Sequence, residues 1–142
     1  MKVSEVMHTP VLSIGPHATL REAAELMGDR NVGCLVVVDH LGYLAGIVTD
    51  RDITIRAVGV GRSCDAPVDS VMTRDVAIVP PDADVSAAQA IMQKRAVRRI
   101  PVTDDMWRPQ GMISMDDILG TFGHEIDAVA DMVSAQGTQV KH

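Results

Sequence analysis

Thr49 and Asp52, in the stretch Gly46-Ile-Val-Thr-Asp-Arg-Asp-Ile53, are the first side chains whose types and spacing could do chemistry; Ser114 and Asp117, in Gly111-Met-Ile-Ser-Met-Asp-Asp-Ile118, are the second such pair. Each follows an apolar run and opens a helical pattern. An ionised carboxylate accepts two hydrogen bonds, and a charge-assisted bond contributes about 1.5–3 kcal/mol net. The hydroxyl three residues earlier falls at a helix N-terminus, where free amides and the helix dipole favour an anion. The same [ST]-x-x-[DE] spacing is also a capping box, which needs no ligand. Taken singly, each pair reads as a cap.

The elements that must position these pairs come in two copies. The second stretch repeats the first sixty-five residues later, and Val3-Ser-Glu-Val-Met7 returns at the same offset as Val68-Asp-Ser-Val-Met72. A fixed-period echo implies two copies of one supersecondary unit. In the first copy, Thr9 to Ile14 reads as a strand with Pro10 near its start, and Thr19-Leu-Arg-Glu22 opens a helix ending near Arg30. Leu35 to Val38 is a buried strand, Asp39 to Gly42 a turn, Tyr43 to Val48 a third strand and Asp50 to Ala57 a second helix. In the second copy, Val76 to Val79, Ile100 to Thr103 and Gln110 to Ile113 are the predicted strands, and Val85, Ala88 and Met92 share a helix face.

The expected fold is therefore α+β: tandem β-α-β-β-α units packed about a pseudo-two-fold axis, because a half of this size buries too little surface to stand alone. Residues 1–60 form the first unit, 61–67 a connector, and 68–142 the second unit with an extended C-terminal helix. Beyond Ile118, Leu119, Phe122, Ile126, Val129 and Met132 or Val133 continue at helical spacing. A stripe left over once a core is filled predicts a neighbour, most simply a second copy of the chain.

Composition narrows the function further. The 142 residues are 46% hydrophobic and 23% charged, ordinary for a globular protein. A net charge of −6 and 2% aromatic residues argue against a broad nucleic-acid surface. The longest aliphatic run, Cys34 to Val38, is far short of the roughly 20 residues a membrane span needs. The opening residues lack a secretory leader's apolar stretch, so a cytoplasmic location is expected. Cys34 in the apolar run and Cys64 in the connector lack metal or redox spacing, and two separate thiols are favoured over a disulfide. His8, His17, His40, His124 and His142 are scattered and read as surface or turn residues with no metal site. No GxxxxGK[ST], GxSxG or HExxH motif is present, so hydrolysis and phosphoryl transfer lack their usual machinery and no enzyme is expected. Met27, Met72, Met92 and Met112 fall on predicted core faces. Trp107 lies in the turn Asp105 to Pro109 and is expected to be exposed.

Two tandem units carrying Gly46-x-x-Thr49-x-x-Asp52 and Gly111-x-x-Ser114-x-x-Asp117, each preceded by an apolar strand ending in an acid (Val36-Val-Val-Asp39 and Pro101-Val-Thr-Asp104), resemble the CBS domain pair, or Bateman module, over nearly the whole chain. The resemblance implies a cleft between the units that binds an adenosine-containing ligand such as AMP, ADP, ATP, NAD or S-adenosylmethionine, with occupancy regulating another protein. It also implies that each site draws on both copies. Thr49 and Asp52 are to be joined by Arg74, Arg98 and Arg99, with Arg51 as a further cation; Ser114 and Asp117 by Thr9, Gly33 and Cys34. An aspartate would accept the ribose hydroxyls, and arginines would fork onto phosphate. On this reading the cations sit on one side only, and the Asp117 site, with Asp116 and no arginine, is empty or takes a neutral nucleoside weakly. The competing reading is a ligand-independent interaction module that docks a partner through the last helix and the Trp107 turn.

Overall fold

The computed structural model describes residues 1–135, with the backbone alone at His124 and Glu125. Residues 136–142 of the expected second unit, His142 included, and the side chain of His124 lie outside the described residues. The first copy comprises α1 (Val3–Val6), β1 (Ser13–Ile14), α2 (Leu20–Arg30), β2 (Cys34–Val38), β3 (Leu44–Thr49) and α3 (Asp50–Arg56). The second comprises a 3₁₀ turn at Val68–Ser70, then α4 (Val85–Arg95), β4 (Arg99–Thr103), β5 (Pro109–Ser114) and α5 (Met115–Ala135). The expected α+β fold with duplicated units is the one observed.

Corresponding parts form for the same local reasons. The Thr19 hydroxyl accepts the Glu22 N–H at 3.1 Å to start α2, and the Asp84 carboxylate accepts from the Ser86 N–H at 3.1 Å to start α4. Both helices end at a left-handed residue, Asn31 and Ala96. The acids that close the middle strands are turn-formers. Asp39 Oδ1 accepts the N–H groups of Leu41 and Tyr43 at 2.9 and 3.0 Å, and Asp104 Oδ1 those of Met106 and Arg108, both at 2.9 Å. The β2–β3 and β4–β5 hairpins each shift register next to these turns. Trp107, half exposed, holds a positive φ of 61° where the first copy has Gly42. Its carbonyl accepts the Leu44 N–H at 2.8 Å, tying one hairpin turn to the other copy.

Two strand expectations need correction. The first strand shrinks from Thr9–Ile14 to Ser13–Ile14, parallel to β2. Its counterpart at Val76 to Val79 reduces to one parallel bridge, Val79 to Val102. Proline explains the limits, since Pro10 and the pair Pro80-Pro81 cannot donate to a ladder. Met27, Met72 and Met92 are core residues as expected, whereas Met112 is only half-buried.

The two copies exchange their opening turns. Val68, Val71 and Met72 pack into the core of the first copy beside Leu20, Leu35 and Val48. Val3 packs into the second beside Ala88, Ile100 and Ile113. Main-chain pairs fix the exchange: Ile47 with Thr73, N–H to carbonyl both ways at 3.0 and 2.8 Å, and His8 with Met112 at 2.8 and 3.1 Å. Glycine makes this approach possible. A Cβ on Gly46 would lie 2.6 Å from the Thr73 carbonyl oxygen, and one on Gly111 2.8 Å from that of His8. Repeat boundaries drawn along the sequence thus differ from the packing units in space. Val3→Ala, at a residue with no exposed surface, should cost roughly 2 kcal/mol. Hydrogen exchange should locate the added opening in β4 and β5, although Val3 belongs to the first copy in sequence.

Candidate functional site

The exchange places two clefts between the copies. The first, about 430 Å³, brings together Thr49, Asp52, Arg98 and Arg99 as predicted, and Arg51 as well. Its apolar wall is Ile47, Val76, Ala77 and Val97, with Thr73, Asp75 and Arg95 at its edge. This volume suits a small organic ligand. The second, about 400 Å³, is lined by Ser114 and Cys34 as predicted, together with His8, Pro10, Met112, Asp116 and Arg99.

Four residues predicted for these sites do not line them: Arg74, Thr9, Gly33 and Asp117, the last of which engages the His8 imidazole while its neighbour Asp116 lines the second cleft. Arg74 is displaced by its neighbours Thr73 and Asp75, and its guanidinium reaches the Asp69 carbonyl at 3.4 Å. Thr9 is likewise displaced by His8 and Pro10. In both copies the chain bends here, at Thr9-Pro10 and at Asp75, and the flanking pair lines the cleft. Gly33 is displaced by Val32 and Cys34, and packs against the Asp50 carboxylate, where a Cβ would come within 2.9 Å of Oδ2.

The aspartates hold the helix starts and retain acceptor capacity. Asp52 Oδ2 accepts the Thr49 N–H at 3.0 Å, and Thr49 Oγ1 accepts the Asp52 N–H at 3.0 Å. Ser114 and Asp117 repeat this at 2.8 and 3.2 Å. Both capping boxes are therefore real. In each, one carboxylate oxygen is left over. For Asp52 it faces the Arg56 guanidinium at 3.6 Å, too long for a good hydrogen bond. For Asp117 it is engaged by the His8 imidazole. His8 has Thr73 as its counterpart one repeat on, and lies directly before Thr9; that offset was the signal in the sequence that it belongs to the site.

The arginines divide by partner. Arg95 pairs with Asp75 at 3.1 Å, and Arg98 lies 3.8 Å from Asp116 with both side chains largely exposed, a weak contact. Among the described residues, Arg51 and Arg99 make no ion pair. Arg99 is the correction that matters: it lines both clefts, so the expectation of cations on one side only does not hold. Arg99 and Cys34 open equivalent strands, β4 and β2, and both line the second cleft. Burial holds the Cys34 thiol above its ordinary pKa, and the nearby Arg99 guanidinium offsets only part of that rise. Both cysteines are free, Cys64 exposed and Cys34 half-buried.

The first cleft thus offers an acceptor for a diol, guanidinium groups for an anion and an apolar slot for a flat ring, whereas the first three N–H groups of α3 are already taken by the Gly33 carbonyl, Asp50 Oδ1 and Thr49 Oγ1. A family profile described as CBS domain matches the chain twice, at residues 3–59 and 68–123. The CBS domain-containing protein YhcV of Bacillus subtilis is 34% identical over 116 residues, covering 82% of this chain and 81% of its own. An uncharacterised 17.7 kDa protein of Acidianus ambivalens is 37% identical over 117 residues, covering 82% of this chain and 70% of its own. The crystal structure of the CBS domain pair of protein MJ0100, in complex with 5′-methylthioadenosine and S-adenosyl-L-methionine, superposes with a TM-score of 0.80 at 28% identity over 88% of this chain and 98% of that one. With both halves matched and the fold shared, the chain belongs to the CBS domain family, as a tandem CBS pair.

Proposed function

We propose that this CBS pair is a regulatory sensor, not an enzyme, that binds an adenosine-containing ligand of the AMP, ADP or ATP class in the Asp52 cleft and transmits occupancy to another cytoplasmic protein. The observation that carries the reading is the convergence of Thr49, Asp52, Arg98 and Arg99 around one slot walled by Ile47, Val76, Ala77 and Val97. The ribose diol would bind Asp52, the phosphate the Thr49 hydroxyl and the two arginines, and the purine the apolar wall. The complex of the MJ0100 pair with two adenosyl compounds supports the ligand class. The Asp117 cleft is the weaker site on this reading, because His8 already occupies the spare carboxylate oxygen. Calorimetric titration with AMP, ADP, ATP and S-adenosylmethionine tests it. One nucleotide binding at micromolar concentration supports the sensor; no heat from any of the four sinks it.

The exposed stripe on α5 favours homodimerisation. Leu119, Phe122, Ile126, Val129 and Met132 are all about half exposed or more, a contiguous apolar strip of the kind that marks an interface. No described helix is long and apolar enough to cross a membrane, so a protein neighbour is the natural cover. Phe122→Glu should convert a dimer to a monomer in sedimentation velocity without loss of helical circular dichroism. A monomeric unaltered chain would leave the stripe to a different protein, as the rival interaction module requires.

A further inference from the structure

Among the described residues, Arg99 is the one cation that lines both clefts. Its side chain lines the Asp52 cleft on one side and the Asp117 cleft on the other, resting against Cys34 between them. Among the described residues it has no carboxylate partner to hold it in either. The second cleft otherwise carries His8, whose imidazole is engaged by Asp117, and Asp116, which faces Arg98. A phosphate entering the second cleft would therefore depend on Arg99. A guanidinium carries five N–H donors but a single positive charge, and a phosphate that takes two of those donors in one cleft turns the plane toward itself and neutralises the charge a second anion would need.

We infer that Arg99 is a single cation shared by the two clefts, and that it makes their occupation by phosphorylated ligands mutually antagonistic. The inference rests on the adenosyl-ligand reading above and adds a coupling between its sites. A phosphorylated ligand in the Asp52 cleft draws the fork across and away from Cys34. The second cleft is then left with Asp116 on its wall, and with Asp117 held by His8, against any incoming phosphate. A neutral nucleoside makes no claim on the fork and leaves the clefts independent. Reciprocity requires the penalty to be the same whichever cleft fills first.

The test uses the full chain with Cys64→Ser, so that Cys34 is its only thiol. AMP and adenosine are titrated by calorimetry, and iodoacetamide alkylation of Cys34 is followed at one ligand equivalent per chain. AMP should slow alkylation severalfold, because removing the guanidinium leaves less thiolate, while adenosine slows it much less. Disabling the first cleft by Asp52→Ala should free Arg99, so that the second cleft binds AMP about tenfold more tightly than the second step of the parent chain. Adding Arg99→Gln should erase that gain. Equal slowing by AMP and adenosine would assign the effect to shielding and overturn the shared cation. So would a second-cleft affinity that ignores Asp52→Ala, and both results would leave the adenosyl reading standing. Absence of any AMP binding would overturn both.

Discussion

Asp52→Ala will weaken AMP binding at the first cleft by about tenfold or more, equivalent to a loss of ~1.4 kcal/mol. The carboxylate has one oxygen committed to the Thr49 N–H and one, loosely facing Arg56, left for a ribose hydroxyl. Its side chain is 13% exposed, so bonds made there escape much of the competition with water. Alanine also removes half of the capping box, costing about 1 kcal/mol of stability. The control is Asp52→Asn, whose amide oxygen can still accept the Thr49 N–H: stability should return while affinity stays low. A cap-only role for Asp52 predicts the opposite, with affinity unchanged in both variants. Calorimetry and thermal unfolding of the same two proteins separate these outcomes.

Gly46→Ala will destabilise the fold by roughly 1–3 kcal/mol, as overpacking does. The methyl would sit 2.6 Å from a main-chain oxygen at Thr73 and 2.9 Å from the Met72 sulfur, and only the sulfur can move aside. Relief requires the Val68 to Thr73 segment to leave β3, which would also pull Thr73 and Asp75 from the rim of the first cleft. The loss in Tm should be roughly 2–10 °C. Gly15→Ala is the matched control, having nothing within 4 Å of its added methyl, and should leave Tm within about a degree. Equal effects at the two positions would contradict the close approach described above.

The duplication, the helices and the two capping pairs were legible because each rests on local rules: apolar period, cap residues, turn residues. The exchange of opening turns was not. Val3 and Val68 look alike in sequence, and nothing local says which copy's core each one fills. The sites were read one residue out at Arg74, Thr9 and Gly33 for a related reason. The repeat points to the right segment, but which of its residues faces a cleft is set by long-range pairings such as His8 with Met112. Arg99 shows the deepest limit, since sharing between clefts is a property of the packed pair and leaves no trace in either repeat alone. His8 was the residue passed over, as it bears no metal-ligand spacing and its partner Asp117 is far along the chain.

The most direct test of the central claim, that an acid, paired arginines and an apolar slot form one adenosyl site, is a crystal structure of the chain with AMP. The account predicts purine against Ile47 and Val97, ribose hydroxyls on Asp52, and phosphate held by the Thr49 hydroxyl with Arg98 and Arg99. AMP bound elsewhere, or a guanidinium pair turned to solvent with the Asp52 cleft vacant at saturating AMP, would contradict it.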